Sequence, residues 1–166
     1  MSATATILDS VRLHVQQALS DISVELFPDN PAAYRFMHPK GAVLIAYQGG
    51  KYKKLEDIGM VVQERQLTLY FTVFSRSLHG EAGGQNLLDA LRLALTGFEP
   101  FGCSPAHLID DGFLAENGGT WQHFLRAQTE CEQVQVAQDK DLPKFAAMRL
   151  RQSTDPLEPD LKPQQP

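Results

Sequence analysis

The chain has 166 residues and a mass of 18.4 kDa, the size of one ordinary domain, and its 43% hydrophobic content predicts that most of it folds. Its formal net charge of -5 argues against a dedicated nucleic-acid binder, which normally carries a basic surface. The longest apolar run, Ala42 to Tyr47, is strand-sized, so no membrane span is expected, and no secretory signal is expected at the N-terminus.

The first predicted element is a helix over residues 6–22. Its apolar residues recur at steps of three and four and therefore share one helical face: Ile7, Val11, Val15, Ala18, Leu19 and Ile22. Thr6, followed three residues later by Asp9, predicts a capping box at the helix start. The carboxylate then also lies near the positive end of the helix.

Prolines interrupt residues 23–41, where no long element is expected, although Asn30-Pro31 could begin a single helical turn. A compact apolar strand follows at Ala42–Tyr47 and is predicted to end at Gly49-Gly50. The lysine-bearing stretch Gly49–Asp57 is interpreted as a solvated hairpin loop.

Residues Val61–Ser75 carry the longest strand signal. Apolar residues alternate with a second set, as a period-two pleated strand requires. The second set includes Tyr70 and Phe74, so a helix or a neighbouring subunit is expected to cover part of that face.

The second half of the chain begins with a glycine-rich loop at His79–Gln85. Asn86 is predicted to cap a second helix, which should end at Gly97 in the left-handed conformation. A weaker strand is predicted over His107–Leu114, broken at Asp110, Asp111 and Gly112. The turn Asn117-Gly118-Gly119 then leads into a closing strand over Thr120–Val136.

Residues 137–166 differ in composition from the rest. They contain five of the ten prolines and little periodicity outside Phe145–Leu150. The predicted organisation is therefore a domain at residues 1–136 and an extended Pro-rich C-terminal arm at residues 137–166. Helices that bracket hairpin-connected strands indicate an α+β fold: an antiparallel or mixed sheet of about four strands with two helices packed on one face.

Three motifs could carry chemistry. The loop Gly80–Gly84 resembles a phosphate cradle but lacks the lysine and the serine or threonine that a P-loop needs, so it favours a flexible or interface loop. A divalent-metal site could be built from the residues Asp110, Asp111, Glu116, His107 and His123. Neighbouring aspartates on a strand point to opposite faces, however, which favours solvated charges.

The two cysteines give no strong signal either. Cys103 and Cys131 cannot form a metal cluster alone and do not indicate a disulfide framework, so a reducing compartment is expected. No motif pairs Cys103 with a catalytic histidine, and a structural thiol is favoured. Neither a catalytic residue nor a cofactor or metal ligand is therefore assigned.

A set of short motifs is spread over about residues 5 to 135. The motifs are Phe27-Pro28, His38-Pro39-Lys40-Gly41-Ala42, Tyr47-Gln48-Gly49-Gly50, Gln63-Glu64-Arg65, Ser75-Arg76-Ser77-Leu78-His79-Gly80, Gly83-Gly84, Leu87-Leu88-Asp89, Leu95-Thr96-Gly97-Phe98 and Trp121. In order and spacing this set resembles the Mu-like phage tail-terminator family, and the arm after Val136 lies outside the resemblance.

The resemblance implies a non-enzymatic virion protein that caps the head-proximal end of a contractile tail. Such a protein assembles as a ring, expected to be a hexamer, on the last ring of tail tube protein. It also contacts the tail sheath protein and the head-neck connector proteins. DNA would pass through the lumen without specific binding, and no membrane is involved. The implied location is the tail-neck junction of the virion, after assembly in the host bacterial cytoplasm.

Interface residues are a hypothesis from two glycine-bearing segments, Gly49–Lys54 and Ser75–Gln85. The candidate contacts are Gly49, Lys51, Tyr52, Lys53, Arg76, His79, Gly83 and Gly84. Two other functions stay open: another head-tail joining or neck protein, and a small metal-dependent hydrolase that uses Asp110, Asp111 and His107.

Overall fold

The computed structural model of the protein describes residues 2–57 and 61–136, so the predicted arm at 137–166 lies outside the described residues. The elements in chain order are α1 (Ala3–Ala18), β1 (Ser23–Leu26), a 3-10 turn (Pro31–Ala33), β2 (Gly41–Tyr52), β3 (Glu56–Asp57), β4 (Val61–Ser75), α2 (Gly84–Leu95), β5 (His107–Asn117) and β6 (Thr120–Val134). No described helix is long and apolar enough to cross a bilayer.

The strands form one mixed sheet in the order β1-β2-β4-β6-β5, with the short β3 paired to the start of β4. Only β1 runs parallel to its neighbour, and the other pairs are antiparallel. The predicted α+β class is confirmed, with five strands in the main order rather than about four. The strands that were not predicted are β1 and the short β3, whose four and two residues are too few to show a period.

Both helices pack on the same face of the sheet, as predicted. One continuous core joins α1, α2 and the inner face of the strands through Val11, Val15, Val43, Ile45, Leu69, Phe71, Val73, Leu87, Leu91, Leu95 and Leu125. Burying each large aliphatic side chain contributes about 1.5–3 kcal/mol, so this layer supplies the main driving force for folding.

The start and end of α1 differ from the prediction. The side chain of Ser2 caps the helix by accepting a hydrogen bond from the Ala5 N–H (3.1 Å), so Thr6 lies inside the helix rather than in a capping box. The helix stops at Ala18. The Gln16 amide donates to the carbonyl of Ile22 (3.1 Å) and accepts from the Val24 N–H (3.1 Å), which turns the chain into β1.

Strand β2 is longer than predicted. Gly49 and Gly50 do not end it, because a bulge after Tyr47 lets pairing with β4 continue to Tyr52. The predicted hairpin loop at Gly49–Asp57 is therefore wrong over its first four residues, which belong to β2, and over Glu56–Asp57, which form β3.

Strand β4 spans Val61–Ser75, as predicted, and its alternation fixes two faces. The residues that point toward the helices are Arg65, Leu67, Leu69, Phe71, Val73 and Ser75, all of them buried. The opposite face, called the open face here, is covered by neither helix. Part of it is shielded by the chain's own segment after β1, because the rings of Tyr34 and Phe36 lie 5.6 and 5.7 Å from that of Phe74.

Three further boundaries differ from the predictions. Gly83, not Asn86, is the N-cap of α2, while the Asn86 amide donates to the carbonyl of Gly80 (2.7 Å). Strand β5 is not broken at Asp110–Gly112 but continues to Asn117 through two register shifts. The closing strand ends at Val134. The predicted left-handed Gly97 is confirmed by its φ of 78°, and Gly118 and Gly119 form the predicted turn with φ of 57° and 81°.

Candidate functional site

The first predicted interface segment, Gly49–Lys54, lies at the end of β2 that extends past β1. The side chain of Lys51 is exposed and makes no ion pair or hydrogen bond with residues 2–57 or 61–136, while its backbone pairs with Gln66 in the sheet. Lys53, by contrast, is held by the carboxylates of Glu64 and Glu130, the second at 3.2 Å. Among the predicted lysines, Lys51 is therefore the one whose charge is free for a partner.

The second predicted segment, Ser75–Gln85, follows the opposite end of β4. The guanidinium of Arg76 stacks over Phe36 at 4.2 Å from the ring centroid and donates to the Phe36 carbonyl (3.1 Å). His79 Nδ1 lies 3.1 Å from Gln85 Oε1. Both side chains remain exposed, so they are accessible to another chain.

Gly83 and Gly84 do not fit the prediction of surface contacts, because both are buried inside this chain. A Cβ on Gly84 would lie 2.7 Å from the His123 ring and 2.8 Å from Ser75 Oγ. The glycines instead let the first turn of α2 approach the sheet closely. Their burial also removes the exposed backbone that a phosphate cradle would need.

The two segments lie at opposite ends of the sheet. Tyr52 pairs with Arg65, and Gly41 pairs with Ser75. The ten residue steps from Arg65 to Ser75 span about 33 Å at about 3.3 Å per residue. Contacts at the two segments would therefore be made with different parts of an assembly.

The aspartates of the possible metal site are separated by the sheet, as the strand argument predicts. Asp110 pairs with Arg126 on the open face (Oδ1 to Nε, 2.6 Å), and this hydrogen bonding lowers the pKa of Asp110. Asp111 faces α2 and accepts two hydrogen bonds from Arg92 (2.7 and 2.9 Å). Within the described ranges no three His, Cys, Asp or Glu side chains converge on one position that could hold a metal ion.

The cysteines are closer together than the sequence suggests. The Ser104 N–H donates to the Glu130 carbonyl (2.8 Å), and this backbone bond brings Cys103 beside Cys131. Burial, followed by the neighbouring thiol, raises the pKa of Cys103 to about 11. A thiol with such a pKa is protonated at neutral pH, so Cys103 is a poor nucleophile.

The open face carries a shallow polar depression of about 460 Å³ between β2 and β5. Amide, hydroxyl and basic side chains line it: Gln48, Lys51, Gln66, Thr68, Arg126 and Gln128. Tyr70 and Phe124 stack beside it with parallel rings 5.9 Å apart. This mixture of polar groups and flat aromatic surface is suited to contact with another protein.

The edge strand β5 is the most apolar exposed part of the sheet. Ile109, Phe113 and Leu114 are 44%, 56% and 43% exposed, and all three lie within six residues. One side of β5 has no neighbouring strand among the described residues. An edge with unpaired backbone groups and apolar side chains is suited to association with a further chain.

Sequence reasoning missed Arg65, which is only 9% exposed. The signal was present in the alternation of β4, because Arg65 occupies the same phase as Leu67, Leu69 and Phe71. A charged residue in the buried phase of a strand is a candidate functional residue.

The described residues thus form an α+β domain with exposed polar and apolar surfaces on its sheet. The chain belongs to the Gp37 protein family, whose model matches residues 10–150 and so continues past Val136 into the Pro-rich segment. No curated protein matches the chain. One similar solved chain comes from the virion of a native gene transfer agent particle, with 12% identity, 80% of this chain and 98% of that chain covered, and a TM-score of 0.42.

Proposed function

We propose that this protein is a structural component of a phage or phage-like virion that forms a ring at the head-proximal end of a contractile tail. The ring stops growth of the tube and sheath and joins the tail to the head-neck connector proteins. The proposal is supported by the tail-terminator motifs in the sequence and by membership of the Gp37 family. The structural observation that carries it is the outer edge of β5, which pairs with no strand of residues 2–57 or 61–136 and carries exposed apolar side chains.

A closed ring needs two different, complementary surfaces on each subunit, because every copy contacts one neighbour on each side. The two edges of the sheet supply such a pair. β5 forms one edge, and the other edge consists of β1 together with the part of β2 that extends past it. Burial of Ile109, Phe113 and Leu114 against the next copy would remove apolar surface from water and so favour ring closure.

The two ends of the sheet would then face different neighbours. Lys51 and Tyr52 lie at one end, and Arg76 and His79 lie at the other. In this proposal one end contacts the tube and sheath, and the other contacts the neck. The separation of about 33 Å along β4 allows both contacts at once.

Passage of DNA through the ring favours a lumen with little free positive charge, since bound phosphates would slow transit. On the open face, the charge of Arg126 is neutralised by Asp110, whereas Lys51, at one end of the same face, has no ion-pair partner among the described residues. A lumen lined by the part of this face around Arg126 would therefore carry little free positive charge, and a ring whose lumen is strongly basic would contradict the proposal.

The test is reversal of the free charge at one end of the sheet. Lys51→Glu should impair tail assembly while the purified chain stays folded, because the exposed side chain has no partner within the described residues to lose. Lys51→Arg, which keeps the charge, is the matched control and should assemble normally. Negative-stain imaging of particles and circular dichroism of the purified variants are the measurements. Normal tails from Lys51→Glu would rule out this end of β2 as a contact.

The nearest alternative is another head-tail joining or neck protein with a related fold. Imaging of particles that lack the protein separates the two roles. Loss of a terminator should give tails of uncontrolled length, whereas loss of a neck protein should give tails of normal length without attached heads.

A further inference from the structure

Arg65 lies on the helix-covered face of the sheet, where charged side chains are rarely found. Its Nη1 donates to Thr4 Oγ1 in the first turn of α1 (3.1 Å), and its guanidinium carbon lies 5.2 Å from the centroid of the Tyr47 ring. These contacts fix the guanidinium in position without neutralising it.

Among the described side chains, no carboxylate pairs with Arg65. The nearest acidic residues along the paired strands, Glu64 and Glu130, project from the other face, where they bind Lys53. The Nε atom of Arg65 is buried and has no hydrogen-bond acceptor within the described chain. Arginine stays protonated in proteins, so it cannot reduce this cost by losing its charge.

The surroundings of Arg65 add positive potential. Ser2 caps α1, a helix of 16 residues, and its first turn contains no acidic residue. The partial positive charge of the helix N-terminus therefore adds to the charge of the guanidinium at Thr4. In other buried arginine sites a carboxylate balances such a charge.

The site lies at the surface. Tyr47 and Tyr52 border it and are 38% and 54% exposed. Gly50 lies between them: a Cβ there would be 2.8 Å from the Tyr47 hydroxyl and 3.4 Å from Arg65 Nε. The absence of a side chain at Gly50 therefore lets the Tyr47 hydroxyl and the guanidinium of Arg65 lie close to this exposed stretch of backbone.

We propose that Arg65, together with the N-terminal turn of α1, binds a carboxylate supplied by another protein chain. The planar guanidinium favours a bidentate contact, which fixes orientation as well as adding attraction. Burial by the incoming chain would strengthen the ion pair because water is excluded from it. The inference does not depend on a ring or on a tail, since it follows from a charge that no carboxylate balances among the described residues.

The first test uses acetate as the probe, with thermal unfolding of the purified full chain in sodium acetate and in sodium chloride at equal ionic strength. Acetate should raise the Tm of the wild type by about 2 °C over chloride when its concentration is about twice its Kd. Arg65→Gln should lose this difference. Arg126→Lys is the matched control, because Arg126 already has Asp110 as its partner, and it should keep the difference.

If Arg65→Gln does not fold, Arg65→Lys replaces it, and the acetate effect should be reduced because the ammonium cannot make the bidentate contact. Equal Tm values of the wild type in acetate and chloride would overturn the proposal. An acetate effect that persists at full size in the Arg65 variants would also overturn it.

A second measurement identifies the source of the carboxylate. Mass photometry of the wild type and of Arg65→Gln reports the oligomeric state. If a second copy supplies the carboxylate, both the substitution and added acetate should lower the oligomer fraction. If a different protein supplies it, the oligomer fraction should stay constant while the acetate effect on Tm remains.

Discussion

The two ends of the helix-covered sheet face each bury a nitrogen atom that lacks a hydrogen-bond partner within the described residues. At one end the atom is Nε of Arg65, near the start of α1, and at the other it is Nδ1 of His123, near the start of α2. Histidine can avoid the cost of a buried charge by staying neutral, and burial does lower the pKa of His123. Arginine has no such option.

The packing around Nδ1 of His123 also differs from the packing around Nε of Arg65. His123 is enclosed by Gly84, Ser75 and the edge-on ring of Phe113, 5.8 Å away. Arg65 is bordered by two tyrosines that remain exposed. The His123 end is therefore closely packed by described residues, whereas the Arg65 end is suited to receive a group from outside.

The largest loss of stability is expected at the end of the sheet that contains His123. Gly84→Ala places a methyl group within 3 Å of the His123 ring and Ser75 Oγ, and such overpacking typically costs about 2 kcal/mol. Urea denaturation measures the loss. Gly49→Ala is the control, since a Cβ there meets nothing within 4 Å, and its stability should change by less than about 0.5 kcal/mol. A Gly84→Ala protein as stable as the wild type would contradict close packing at this end.

At the other end, Arg65→Met should change the stability of the isolated chain by less than about 1 kcal/mol. The substitution loses the contacts with Thr4 and Tyr47 but also removes a buried charge that has no carboxylate partner among the described side chains. Removing one partner of a buried ion pair costs about 3–5 kcal/mol. A loss of that size in urea denaturation would mean that the charge is already balanced within the chain.

A carboxylate introduced at the start of α1 tests whether the end of the sheet at Arg65 is positively charged. Ser2→Asp keeps a capping oxygen and adds negative charge beside the helix N-terminus and Arg65, so it should stabilise the chain by about 0.5–1 kcal/mol. Ser2→Ala removes the cap and should destabilise it by about 1 kcal/mol. Thermal unfolding at low salt measures both. A destabilising Ser2→Asp would show that this end is not positive.

The pH dependence of stability should report on His123. Because its folded pKa is lowered, the unfolded chain takes up the proton first as the pH falls through about 6.5, and stability decreases from there downward. The effect is the smallest of the series because Asp111 partly offsets the burial. His123→Asn should flatten the profile between about pH 5 and 7.5, measured by urea denaturation. An unchanged slope would show that His123 does not carry it.

Much of the fold follows from periodicity. The alternation in β4 predicts its limits, and the glycines after Asn117 predict the turn into β6. Periodicity does not predict where an element ends when a single side chain or a bulge determines that boundary. Helix α1 ends earlier than predicted, where the Gln16 side chain hydrogen-bonds the backbone of Ile22 and Val24. Strand β2 continues past Gly49 and Gly50, which otherwise indicate a loop, because of the bulge after Tyr47.

The candidate site is less predictable from the sequence. Interface candidates are predicted from glycine-bearing segments at strand ends. This criterion selects Lys51 and Arg76, which are exposed, but it also selects Gly83 and Gly84, which are buried. Arg65 could have been found from its phase in β4. Its lack of a carboxylate partner depends on which face Glu64 and Glu130 occupy, and this follows only from the pairing of β4 with β6.

The most direct test of the proposed function is a density map of the intact particle, solved by electron microscopy. The account predicts a ring of this chain between the last tube ring and the neck, with the β5 edge of each copy against the next and a carboxylate facing Arg65. A map that places the protein elsewhere, or leaves Ile109, Phe113 and Leu114 exposed to solvent in the assembled particle, would contradict it.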